Sequence, residues 1–221
     1  MDERTELLEW QVAGRPLPGE ERSGDGALVV PLPDGALAAA VDGLGHGPEA
    51  AAAAEAALGV LRRRAPDDVA ALVEAAHDAL GATRGAALSL ASLDCARGRM
   101  TWLGVGNVEG RLVRGGVPSA AAAETLVLHR GVLGHALPAL RPATLRVRRG
   151  DVLILATDGI LPAFADGLVP TGTCGEIAAR VIDRHARETD DALVLVARFL
   201  GPGTVTAGDA KRGREVRTGG R

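Results

Sequence analysis

Four aspartates stand where apolar runs begin or end. Asp25 opens the run to Leu32, Asp42 closes Ala36 to Val41, Asp158 follows Val152 to Ala156, and Asp190 lies just before Ala192 to Phe199. Glycine adjoins three of them. Carboxylates on rigid strand ends are good ligands for hard cations, and four brought together would repel one another strongly at neutral pH. Bound divalent metal is the economical explanation for such a group. All-oxygen ligation selects Mg²⁺ or Mn²⁺ over zinc or copper, whose usual histidine and cysteine ligands are not grouped in this chain. A site with two ions would activate a water and neutralise the oxygens of a phosphate ester during in-line attack, with no side-chain nucleophile required.

Aspartate followed by glycine is weak evidence alone, because the pair is a common turn. The chain has five, at Asp25, Asp34, Asp42, Asp158 and Asp166. Pro33-Asp34-Gly35 lies between two apolar runs and reads as a hairpin turn, and Gly150-Asp151 reads as another turn. At Asp42 the flanks differ. An apolar run ends there, Gly43, Gly45 and Gly47 permit close backbone approach to a ligand, and Pro48 with Glu49 opens an alanine-rich helix. Taken alone, this stretch reads equally as a metal-binding corner or as a strand-to-helix connection with convenient glycines. Rival chemistries lack their motifs. Gly43-x-Gly45-x-x-Pro48 misses the third glycine of a dinucleotide fingerprint, the only lysine, Lys211, excludes a phosphate-binding GK[ST] loop, and no GxSxG elbow occurs. Histidines 46, 129, 135 and 185 show no paired metal spacing, and His77 reads as a packed side chain.

The elements that must position these residues follow from pattern. A strand is expected around Leu7 to Ala13, then the hairpin Gly26–Leu32 with Ala36–Val41. Helices are expected from Pro48 to Arg64, ending in three arginines, and from Pro66 to Leu80, with Val69, Leu72, Val73, Ala76 and Leu80 on one face. A meander of strands follows from Ala86. The alanine run Ser119 to Ala123 reads as a loop or short helical turn, and further strands cover Glu124 to Arg130 and Leu140 to Ala156. Leu161 to Phe164 looks like the start of a short helix, residues 174 to 188 form a third main helix, and Ala192 to Phe199 is a strand buried on both faces. Strands joined mainly as antiparallel hairpins, with two helices early and one late, give an α+β domain whose helices cover a sheet or pair of sheets.

Composition narrows the function classes. The 221 residues suffice for one domain without metal or disulfide staples. Only 2% are aromatic, so Ala, Val and Leu must fill the core and base-stacking platforms are not expected. A net charge of −3 argues against a nucleic-acid partner. Cys95 and Cys174 are distant and read as buried small hydrophobes. The charged start and the lack of a long apolar run point to a cytoplasmic protein with no membrane partner. Residues 1–200 read as the domain and 201–221 as a flexible tail, in which five basic residues against Asp209 and Glu215 give +3.

Ser23-Gly-Asp25, Val41-Asp-Gly-Leu-Gly-His-Gly47, Leu155-Ala-Thr-Asp-Gly-Ile160 and Thr189-Asp-Asp-Ala-Leu-Val-Leu-Val-Ala-Arg-Phe199 occur in an order and spacing that resembles a known family. It is the metal-dependent protein serine/threonine phosphatases of type 2C, in the bacterial branch of the stage II sporulation phosphatase E. Within that branch, Ala82 to Asp94 and Trp102 to Gly110 resemble the small stand-alone RsbX-like phosphatases of stress-response sigma-factor regulation. The likeness runs from about residue 10 to 200. It implies a four-layer α/β/β/α sandwich of two antiparallel sheets flanked by helices, with two Mn²⁺ or Mg²⁺ ions at one end. By motif, Asp42 would bridge the ions, the Gly43 carbonyl would bind one, Asp158 and Asp190 would complete the other, and Asp25 would act directly or through water. Asp191 takes the place of the family's asparagine and has a supporting role that is exchangeable with that of Asp190. Two departures stand out. The family's DGHGG histidine position is Leu44, with His46 two residues later as a possible supporting group. The aspartate of a third metal site is replaced by Asn107, so two ions are expected. The implied substrate is a phosphorylated regulatory protein, an antagonist or stressosome component. Small phosphate esters, or a non-catalytic scaffold that docks the phosphoprotein, are the alternatives.

Overall fold

Alternation along one alanine-rich strand sets the layers of the molecule. In the computed structural model, which describes residues 3–115, 123–166 and 170–201, that strand is β4 (Gly35–Gly43). Ala36, Ala38 and Ala40 face one way, into a core with Leu8, Trp10, Trp102, Leu153, Leu155, Leu193 and Leu195. Leu37, Ala39 and Val41 face the other way, into a second core with Ala53, Ala57, Leu61, Leu72 and Val73. A strand with period-two side chains buried on both faces must be the inner leaf of a layered structure.

Two six-stranded sheets result. The first runs β1 (Glu3–Arg4), β2 (Leu8–Arg15), β12 (Ala192–Phe199), β11 (Val152–Ala156), β7 (Glu109–Val113), β8 (Ala123–Thr125). The second runs β10 (Ala143–Arg146), β6 (Arg99–Val105), β5 (Ala86–Asp94), β4, β3 (Asp25–Leu32), with β9 (Leu128–His129) parallel to β6. Their inner faces share the first core. Helices α1 (Gly47–Arg63) and α2 (Val69–Ala79) cover the second sheet, and α3 (Cys174–His185) covers the first through Ile177, Ala178 and Val181. The expected α/β/β/α sandwich is the observed one.

Local sequence accounts for most elements. Alanines favour helix in α1 and present a thin face that lies close on β4, and Arg62 and Arg63 complement its C-terminal dipole. Asp68 caps α2 by accepting the N–H groups of Ala70 and Ala71, both at 3.0 Å. Thr173 and Glu176 form a capping box on α3. The Asp34-Gly35 hairpin, the inward Ile177 and Val181, and both buried free cysteines agree with expectation.

Other expectations are met with added detail. The segment after Leu161 forms one 3-10 turn, Pro162–Ala165. The Arg148–Asp151 turn is present, but it carries the chain from the second sheet to the first, since β10 pairs with β6 and β11 with β7 and β12. Asp151 is buried there, a role its place in a turn does not reveal. His77 is packed, its Nδ1 accepting the N–H of Gly134 at 3.0 Å. Most of the alanine run, and the tail from residue 202, lie outside the described residues. No helix among the described residues is long and apolar enough to cross a membrane.

Candidate metal centre

Hairpin register places the first two aspartates side by side. The turn at Pro33-Asp34 pairs Leu32 with Gly35, and counting outward pairs Asp25 with Asp42 across β3 and β4. The other two come from the first sheet, Asp158 just beyond β11 and Asp190 just before β12, at the antiparallel ends where Ala156 pairs with Val194. Each sheet therefore contributes two carboxylates at one end of the sandwich, and sheet-on-sheet packing brings the pairs together. The electrostatics record the meeting. Asp42 is pushed up to about 8, first by burial and then by the charges of Asp25, Asp158 and Asp190. Asp25 is pushed up to about 7 by burial, with Asp191, Asp158 and Asp190 adding repulsion. Asp190 is raised by burial and by Asp158, while Arg187 works in the opposite direction.

Neutral donors engage two of the carboxylates. Thr157 donates its hydroxyl to Asp25 Oδ2 at 2.7 Å, and Asn107 donates Nδ2 to Asp158 Oδ2 at 2.7 Å. Among the described residues, no group of three or more His, Cys, Asp or Glu side chains closes into a ready-made metal cage. The donor set still fits divalent ions. It is all oxygen and partly buried, and Arg187 is the basic group beside Asp190.

Backbone packing fixes the corner. A Cβ on Gly43 would lie 2.2 Å from the Ala50 carbonyl oxygen, and one on Gly159 would lie 1.8 Å from that of Asp191. Only glycine lets α1 and the start of β12 come this close to the two aspartate turns. Asp191 is 3% exposed and accepts the N–H groups of Leu17 at 2.7 Å and Gly24 at 2.8 Å. It thus ties the β2–β3 connection to the start of β12, next to Asp190, whose Oδ1 accepts the Asp191 N–H at 2.9 Å. His46 occupies the N-cap position of α1 with no capping bond, and its Nδ1 meets Glu20 Oε1 at 2.7 Å on the surface.

Three contributors escaped the sequence reading. Thr157 is 1% exposed and joins Asp25 to the Leu193 backbone, accepting its N–H at 2.9 Å. The signal was available, as the one polar side chain between an apolar strand and Asp158. Asn107 stands out in the sequence only as a departure from a motif, yet its amide lies between Asp42 and Asp158. Arg187 is placed by its N–H to the Gly159 carbonyl at 2.8 Å and by Arg15, which donates to its carbonyl at 3.1 Å. Nothing in its local sequence marks it.

Comparison with known proteins gives the same frame. No curated protein matches the chain. Among solved structures, one from work on the bacterial stressosome, a modular system adapted to control secondary messenger signalling, is 30% identical, with a TM-score of 0.78 over 86% of this chain and 99% of that one. RsbX in complex with magnesium is 21% identical, with a TM-score of 0.79 over 90% and 98%. The catalytic domain of the serine/threonine protein phosphatase PstP with two manganese ions is 19% identical, with a TM-score of 0.65 over 88% and 99%. At those lower identities the likeness concerns the fold, which is that of the PP2C-type serine/threonine phosphatases. The family profile of stage II sporulation protein E (SpoIIE) matches residues 33–200, and the chain belongs to that family.

Proposed function

We propose that this chain is a metal-dependent protein phosphatase that hydrolyses phosphoserine or phosphothreonine on a regulatory protein. The observation that carries the reading is the meeting of Asp25 and Asp42 from one sheet with the Asp158 and Asp190 positions from the other, at one end of the sandwich. In this reading Asp42, the Gly43 carbonyl, Asp158 and Asp190 would hold two Mn²⁺ or Mg²⁺ ions, with Asp25 contributing directly or through water. When bound, the two ions supply an activated water and neutralise charge on the phosphoryl oxygens. The chain's own residues do the positioning. Thr157 aims Asp25, Asn107 spaces Asp42 from Asp158, and Asp191 holds Asp190 and the β2–β3 connection in register. His46, turned onto Glu20, is left at the rim.

Support for a stress-signalling substrate comes from the stressosome-associated structure at 30% identity and from the RsbX likeness. The substrate in this reading is a phosphorylated antagonist or stressosome component of a sigma-factor switch, and the protein acts as an RsbX-like enzyme in the cytoplasm. The test is phosphate release from phosphorylated antagonist protein with Mn²⁺, Mg²⁺ or EDTA. Release that needs metal and is lost in Asp42→Asn and Asp158→Asn supports the reading. Metal-independent release, or full activity in both variants, overturns the site. Turnover of small phosphate esters alone overturns the substrate assignment, and docking of the phosphoprotein without turnover overturns the enzymatic reading in favour of a scaffold.

A further inference from the structure

The pole of the sandwich away from the aspartates is basic. Register fixes the geometry: Arg99 pairs with Arg146 and Asp94 at the ends of β6, β10 and β5, while Asp42 pairs with Ala87 at the opposite end of the same sheet. In the other sheet, β11 runs from this pole to the aspartate end, a span of roughly 13 Å at about 3.3 Å per residue. Arg114 follows β7, Arg146 ends β10, and Arg148 and Arg149 lie in the connection to β11. With Gly115 and Asp151 they line a cavity of about 340 Å³.

The lining is unbalanced. Among the described residues Asp151 is its one acid, and both oxygens are already satisfied. Oδ1 accepts the Gly115 N–H at 2.9 Å, and Oδ2 accepts the Arg148 N–H at 3.0 Å and Arg114 Nη1 at 2.8 Å. Arg114 is further held by Glu124 and by the Arg146 carbonyl at 2.6 Å. The guanidinium groups of Arg146, Arg148 and Arg149 are exposed and, among the described residues, make no hydrogen bond or ion pair. Among the described lining residues, four arginines against one aspartate leave +3, on a protein of net charge −3. Folding does not require this concentration, because the pole packs through buried Val113, Val147 and Val152.

Guanidinium forks match phosphate oxygens two at a time, and the volume lies at the small end of ligand-sized cavities. We propose that this arginine-lined cavity binds a small anion bearing a diphosphate group, at a site separate from the aspartate centre. Arg114, braced by Asp151, forms the fixed wall, and Arg146, Arg148 and Arg149 close on the phosphates.

The test is calorimetric titration of pyrophosphate and of ADP into the full chain, with EDTA present and at about 150 mM salt, where loose surface attraction is screened. Saturable one-site binding is expected. It should weaken about tenfold or more in the double variant Arg146→Gln/Arg149→Gln and stay unchanged in Asp158→Asn, with circular dichroism confirming the fold of both. No saturable binding to the wild type, equal binding by the folded arginine variant, or loss in Asp158→Asn would overturn the proposal. None of these readouts depends on catalysis, so failure here and failure of the phosphatase reading are separable.

Discussion

Asp42 and Asp25 hold their protons in the metal-free chain at pH values where ordinary carboxyls have lost them. With folded values of about 8 and about 7 against 3.8 for an ordinary aspartate, the folded state binds more protons than the unfolded one across that interval. These two carboxyls therefore contribute stability to the metal-free protein that is lost as pH rises from about 4 to 8. Thermal melts in EDTA should show a lower midpoint at pH 8 than at pH 5, and a midpoint that rises with pH would contradict this. The same physics separates stability from function. Asp42→Asn removes a costly buried charge, so its metal-free midpoint at pH 8 should exceed that of the wild type, while Mn²⁺-dependent turnover falls about 100-fold or more. Thr157→Val keeps shape but orphans the Leu193 N–H and the Asp25 carboxylate. A loss of about 1–3 kcal/mol in denaturant unfolding is expected, with Thr157→Ser recovering most of it.

At the scale of elements, two turns do the positioning, and their tolerances are narrow. Gly159→Ala would force a methyl to 1.8 Å from the Asp191 carbonyl oxygen. The backbone must shift, and a destabilisation of about 1–3 kcal/mol with weakened Mn²⁺ affinity is expected. Asp191→Ala removes the acceptor for Leu17 and Gly24 N–H groups. Its signature should be local, with faster amide exchange at Leu17 and Gly24 while the β4 and β11 amides stay protected. Uniform loss of protection would show instead that Asp191 supports the whole fold. The hairpin that pairs Asp25 with Asp42 was legible, since its Pro33-Asp34-Gly35 turn fixes the count outward. The crossing after β10 was not, because a polar turn looks alike whether the next strand returns to its own sheet or enters another.

For the molecule as a whole, apolar periodicity and helix ends sufficed to name most of the elements. They could not say which faces meet. That is why the four aspartates stood out singly, whereas their distribution, two from each sheet, emerged only with the packing. Thr157, Asn107 and Asp191 act across 132, 51 and 174 residues of chain, so their roles depend on contacts that no local pattern encodes. The low aromatic content has a structural counterpart in β4, where alanines let two sheets and a helix layer converge on one strand. The proposed function requires the seam between the sheets to be a centre for two divalent ions. Calorimetric titration of Mn²⁺ into the EDTA-treated, dialysed chain at pH 8 measures that directly. Two ions per chain are expected for the wild type, with the stoichiometry or affinity collapsing in Asp42→Asn and Asp158→Asn. Absence of stoichiometric binding, or binding that both variants retain at wild-type strength, would contradict it.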